Sequence, residues 1–323
     1  MITSLIIPVY KRPQYLKRCF DSLKRADLQS IDMLILINDC GNDPEVDALY
    51  ESFSIPHVPT SHIRNESNKG IRSCIKEGVE DAKDSGCDTF IVMDSDMIVR
   101  VNFANEILRL KAKYSDNMVS GINCTMRQKT GEERNPIISE HEDHYLKKYV
   151  AGQCLCFNEY QYENFVRPAL LINGNWDHNA SIRSDEAGFP IVVCRPSVCQ
   201  HIGFESSMGH NAYGEAPDRA DDFDDRLELS DVTLFGIDAF NQQGIIRAAE
   251  ICQRSIRFGD VKIITDRIFP GATREEGRRN YSEFMIKHLT EYFTTGHVLT
   301  IHDDGYIQNP AAWKDEWLEW DYI

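Results

Sequence analysis

The sequence predicts an α/β protein: a mostly parallel sheet flanked by helices, then a second, partial α/β unit. Three observations carry that expectation. Short apolar, β-branched runs alternate with amphipathic segments over roughly residues 1–120. The alternation starts afresh after an acidic, Gly- and Pro-containing break. The run Thr89-Phe90-Ile91-Val92-Met93 ends in Asp94-Ser95-Asp96, two carboxylates where a buried strand leaves the sheet. In an open α/β sheet that end is the ligand crevice.

Strands are expected over 5–9, 33–37, 62–64 and 89–93, with helices over 14–24, 45–52, 70–85 and 102–114. Pro8 stops the first strand, because proline donates nothing to a ladder. Pro13 suits a first helical turn, and Leu16, Cys19, Phe20 and Leu23 then recur at helical spacing. Residues 118–122 read as a further strand. The polar stretch 127–144 reads as a mobile loop. Strands follow over 150–157 and 190–194, and helices over 159–166 and 177–186. The break lies within 203–231. The expected organisation is residues 1–210 as one domain, 211–230 as an acidic linker and 231–323 as a partial second domain. In that second domain strands are expected over 232–237, 261–264 and 297–301, and helices over 242–255 and 281–293. Its few strands suggest a piece of a longer protein.

Composition narrows the function. The 323 residues carry a formal net charge of -16, which argues against a nucleic-acid partner. It would also repel a diphosphate unless a cation intervened. Acidity over 218–231 reads first as solubility. No apolar run approaches the ~20 residues that span a bilayer. The N-terminus lacks the basic start of a secretory signal. The ten cysteines are scattered without C-x-x-C pairs and read as reduced thiols of a cytoplasmic protein. A pairing or metal role for Cys194 and Cys199 is the lesser reading.

Six short motifs in order resemble family 2 glycosyltransferases of the GT-A fold. They are Pro8-Val9-Tyr10-x-Arg12, Asn38-Asp39-x-Gly41-x-Asp43, Asn68-Lys69-Gly70, Asp94-Ser95-Asp96, Trp176-Asp177 and Gln200-His201-Ile202-Gly203. The resemblance covers roughly residues 1–210. It implies transfer of a sugar from a nucleotide-sugar donor, UDP-sugar first among them, to a hydroxyl of a glycan or glycoconjugate. The transfer would invert the anomeric carbon.

By that resemblance Pro8 and Tyr10 line the base pocket, Arg12 meets a phosphate, and Asp39 accepts from the uracil ring. Asp39 as a cap of the following turn is the plainer reading. Asn68 and Lys69 open a helix whose first N–H groups favour an anion. Relatives carry Arg-Asn further along this helix, where this chain has Ile75-Lys76, which leaves the base undetermined. Asp94 and Asp96, two apart, would share one side of an extended segment, with Ser95 between them on the donor. By the same resemblance Asp96 with His201 would hold Mn²⁺ or Mg²⁺, and Asp94 would bind either that metal or the ribose. Asp177 is the implied general base, and a helix cap is its structural alternative. Asp185 and Glu186 are weaker candidates. A loop over 206–210 could close on the phosphates.

His141-Glu142-Asp143-His144 looks metal-binding but lacks a rigid scaffold, so it reads as acceptor-side loop or surface. Phe258-Gly259-Asp260-Val261-Lys262, Tyr281-Ser282-x-Phe284-Met285, Asp304-Gly305 and Trp320-Asp321-Tyr322-Ile323 resemble the start of an uncharacterised domain found beside glycosyltransferases. Asp303-Asp304 would be its metal-site analogue. Two rivals stand beside the transferase: a nucleotide-sugar hydrolase or pyrophosphorylase on the same fold, and a non-catalytic nucleotide- or glycan-binding module. A binder has no need of a base, so the set Asp94, Asp96, Asp177 and His201 favours an enzyme.

Overall fold

Residues 3–9 are buried at every position because strands pair on both sides of them. In chain order the computed structural model alternates β1 (Thr3–Val9), α1 (Pro13–Leu23), β2 (Met33–Asn38), α2 (Pro44–Ser52), β3 (Thr60–Arg64), α3 (Ile71–Asp84) and β4 (Thr89–Met93). It describes residues 1–124, 136–203, 219–220, 222–224, 226–271, 273–307, 310, 313 and 315–319. Then follow β5 (Met97–Val99), α4 (Phe103–Lys113), β6 (Val119–Ser120), β7 (Ile137–Glu140), β8 (His144–Lys147) and β9 (Cys154–Asn158). A helical stretch comes next: α5 (Glu159–Gln161), a wider turn over Tyr162–Val166, and α6 (Arg167–Leu170). The unit closes with α7 (Trp176–Glu186), β10 (Ile191–Cys194) and β11 (Cys199–His201). The chain divides into two units, Met1–Asp224 and Asp225–Ile323.

The main sheet of the first unit runs β3-β2-β1-β4-β9-β6-β10-β8-β7. Its first four strands are parallel. From β4 onward antiparallel pairs enter at β9, β8 and β7, so the sheet is mixed rather than parallel throughout. Alternate side chains divide the core. Leu5, Ile7 and Val9 face α1 and α4 through Leu16, Phe20 and Ile107. Ile6, Ile35 and Ile37 face the other layer, with Val79, Phe157 and Tyr162. Each such buried Leu or Ile contributes about 1.5–3 kcal/mol.

Pro8 does not stop the first strand: β1 runs through it to Val9, with Pro8 opposite Ile37. Two further expectations need correction. Residues 136–144 are not loop: β7 and β8 form an edge hairpin, and residues 127–135 lie outside the described set. His144 is buried there, its ring stacked on His141 at 4.3 Å and bonded to Asp143. Asp143 in turn accepts from Arg109 and Lys113. Polar composition hid a hairpin whose turn acid, Asp143, pairs with helix α4. The strand expected over 150–157 starts only at Cys154, because residues 150–153 turn toward α7.

All ten cysteines are free thiols, nine of them buried, with Cys40 only partly so. Burial pushes Cys74 and Cys156 up to about 12.

The second unit has β12 (Leu227–Ile237), α8 (Gln242–Ser255), β13 (Ile256–Ile264), α9 (Arg274–Lys287) and β14 (His297–Ile301). The strands are parallel in the order β13-β12-β14. Leu229, Val232 and Leu234 pack on Ile245 and Ala248, while Phe235 packs with Phe284 and Leu289 on the other face. β12 begins five residues before the expected 232, through a bulge between Leu229 and Thr233. Thus 227–231 is strand, not linker. Residues 204–218, 221 and 225, including the expected 206–210 closure, and the motif at 320–323 lie outside the described set. Among the described residues no helix is long and apolar enough to cross a membrane.

Candidate active site

The acidic pair does not continue β4 as an extended segment. Residues 94–96 turn, and the chain leaves the main sheet as β5 to pair with β11 in a separate two-stranded sheet. Asp96 points to Arg12 and His201, while Asp94 lies in the field of Asp96 first, then of His201 and Asp177.

Asp96 is 4% exposed. Arg12 Nη1 donates to its Oδ2 at 2.8 Å, and His201 Nε2 lies 3.2 Å from the same oxygen. Burial works to raise this carboxyl, but His201 and Arg12 outweigh it and hold it below the usual carboxylate range. Burial, reinforced by Asp96, pushes Asp94 up to about 8.

Each partner is placed by backbone. β11 sets His201 opposite Met97, and Ile202 N donates to Asp96 O at 2.9 Å. A Cβ at Gly203 would collide with the Asp96 carboxylate, so glycine there lets the chain pass against it. Lys11 and Arg12 both adopt left-handed φ, 53° and 57°, which is strained for side-chain-bearing residues. That bend carries Arg12 back over the carboxyl end of β1. A matching pair, Cys40 and Asn42, follows β2. Between them, a Cβ on Gly41 would sit 3.2 Å from Lys11 N.

Asp177 lies in the first turn of α7 but does not cap it; Asn175 holds the cap position. Gly152 N donates to Asp177 Oδ2 and His178 N to Oδ1, both at 2.8 Å. Trp176 packs so closely on Gly152 that any side chain there would clash. Both carboxylate oxygens are oriented, and each keeps a lone pair for another donor.

Asp39 does not act as a cap of the following turn. It is 4% exposed and accepts from Asn65 Nδ2, Lys69 N and Gly70 N at 2.8–3.0 Å. It ties β2 to the start of α3 rather than capping the turn that follows it. Two N–H groups expected to receive an anion are therefore already bound. Asn68 is exposed, and Lys69 Nζ pairs with Glu77 at 3.2 Å. Pro8 is buried in β1, Tyr10 is partly exposed, and Ser95 is 8% exposed within the turn.

The three-ligand metal set does not converge. Among the described residues no group of three His, Cys, Asp or Glu side chains could hold an ion. Asp96 and His201 do meet, offering one carboxylate oxygen and one imidazole nitrogen. That donor pair fits Mn²⁺ or Mg²⁺ only if a ligand's own oxygens complete the shell. A cavity of about 490 Å³ lined by Asp88, Thr89, Lys111 and Asn158 lies at the amino end of β4, the wrong end for this chemistry.

The motifs missed Gly152 and Gln153, which precede β9 beside Asp94 and Asp177. Their only signal is a glycine at the head of an apolar strand.

A family model described as "Glycosyl transferase family 2" matches residues 4–170. "Putative glycosyltransferase EpsH" of Bacillus subtilis (strain 168) is 22% identical over 161 residues, 48% of this chain and 44% of its own. Among solved structures, GalNAc-T7 with UDP, GalNAc and Mn²⁺ superposes at TM-score 0.52 and 17% identity, covering 67% of this chain and 45% of that one. S. aureus TarS 1-349 with UDP-GlcNAc gives 0.48 and 14%, covering 66% and 62%. The chain thus spans less than half the length of EpsH and of the GalNAc-T7 chain.

Proposed function

The chain belongs to glycosyl transferase family 2, and from that membership we propose that its first unit transfers a sugar from a UDP-sugar to a hydroxyl of a glycan, with inversion. The observation that carries the reading is the division of labour between two carboxylates. Asp96 is held between the Arg12 guanidinium and the His201 ring, a cation and a metal-ligating side chain where a diphosphate would lie. Asp177 is fixed by backbone N–H groups alone, with lone pairs left for a hydroxyl.

In this reading the acceptor hydroxyl hydrogen-bonds to Asp177. The carboxylate takes its proton as the oxygen attacks the anomeric carbon from the face opposite the diphosphate. General-base help of this kind is worth about 10²–10⁴-fold. Arg12 sits where it can pass from Asp96 to a phosphate oxygen. Asp96 and His201 would hold Mn²⁺ or Mg²⁺, which when bound neutralises charge on the departing diphosphate. The GalNAc-T7 structure, which contains UDP and Mn²⁺, supports the donor class and the ion.

Titration calorimetry with UDP, GDP and dTDP, with and without Mn²⁺, tests the site on wild type and Asp96→Ala. UDP binding that needs both Mn²⁺ and Asp96 is the expected result. Absence of metal-dependent nucleotide binding would overturn the reading. Release of free sugar at an unchanged rate with and without glycan acceptors would favour a hydrolase instead.

A further inference from the structure

Resting on the nucleotide-sugar reading above, we propose that Gln153 is a specificity-determining residue that accepts a hydrogen bond from a hydroxyl of the transferred sugar. Gln153 is 7% exposed, yet its Oε1 has no hydrogen-bond partner among the described residues. A buried acceptor left open costs about 1–3 kcal/mol, so it is rarely kept without a use.

Its position says what the use is. β4 and β9 are antiparallel with Met93 opposite Cys154, and Asp94 N donates to Gln153 O at 2.9 Å. The register carried one step further sets Gln153 directly opposite Asp94. Residues opposed in this way share a face of the sheet. The preceding residue, Gly152, donates its N–H to Asp177. Gln153 therefore stands on the backbone between Asp94, two residues before the Asp96 of the diphosphate side, and Gly152, whose N–H holds the proposed base. The group transferred between a diphosphate and a base is the sugar itself. A neutral amide suits that place: it reads hydroxyls without adding charge near two carboxylates.

The test separates the sugar from the nucleotide. Gln153→Met keeps the side-chain length and removes the open acceptor; Gln153→Ala shortens it. Binding of UDP and of a panel of UDP-glucose, UDP-galactose and their N-acetylamino counterparts is measured with Mn²⁺, alongside thermal unfolding. For Gln153→Met the expected result is unchanged UDP affinity and an unchanged or raised unfolding midpoint. Affinity for the preferred UDP-sugar should fall about three- to tenfold, the scale of one net hydrogen bond, and the preference across the panel should narrow. Gln153→Ala should lose the same discrimination. Unchanged sugar preference in both variants would overturn the proposal, as would an equal loss for UDP and UDP-sugar. If wild type binds no UDP-sugar, the functional reading itself fails, and that outcome is distinct from either.

Discussion

Both units carry acidic residues at the carboxyl ends of parallel strands, and they use them in opposite ways. In the first, Asp96 is buried and gripped from two directions by Arg12 and His201, each supplied by a different strand end. In the second, Asp238 follows β12 and folds onto its own turn, accepting from Phe240 N and Asn241 N. Asp303 follows β14, stays partly exposed and accepts from Asn241 Nδ2 at 2.7 Å. Asp304 beside it is exposed. A carboxylate at a strand end is thus only an opportunity. In the first unit, β5 and β11 return a histidine to it. In the second, the turn after β12 takes up Asp238, and Asn241 of that turn reaches across to Asp303.

The sharpest way to break this contrast is Asp177→Asn. With the side chain's shape kept and no base, turnover should fall about 10²–10⁴-fold while UDP affinity stays within about twofold. Steady-state transfer and calorimetry on the same preparation check it; an active Asp177→Asn would leave the first unit's geometry without its claimed chemistry. A middle-sized effect is expected of Gly203→Ala. The new methyl must displace the Asp96 carboxylate, at a cost of about 1–3 kcal/mol, so Mn²⁺-dependent UDP affinity should fall about tenfold or more. Normal affinity there would mean that the Asp96 network yields freely. The smallest effect belongs to Asp303→Ala: stability within about 0.5 kcal/mol and transfer within about twofold. A large loss of transfer would make the second unit's acids functional and erase the contrast.

The parallel half of the first sheet was readable because residues 5–9, 33–37 and 89–93 are unbroken apolar runs, the pattern of strands buried on both faces. The hairpin β7–β8 was not, since its strand signal is diluted by His141, Asp143 and His144, and the charge of Asp143 is met by Arg109 and Lys113 on α4. That pairing is tertiary and leaves no local trace. The site divides the same way. Asp94, Asp96, Asp177 and His201 were legible as motifs. That His201 meets Asp96 in a hydrogen bond was not, because it follows from β5 leaving the sheet for a partner about a hundred residues away. Asp39 was legible as important, but its donors come from far along the chain: Asn65 just after β3, and Lys69 N and Gly70 N at the head of α3, about thirty residues on.

The buried thiols make the protein its own clock for local opening. A thiol reacts as thiolate, and burial both hides these sulfurs and disfavours that form. With a neutral-pH alkylating reagent, Cys40 should gain mass at once, while the other nine wait for the segments around them to open. Cys154 and Cys199 lie under the site on β9 and β11, and Cys252 lies in α8 of the second unit. Peptide-resolved labelling rates, taken with and without UDP and Mn²⁺, would then time the opening of each unit separately. They would also show which of the two a ligand slows.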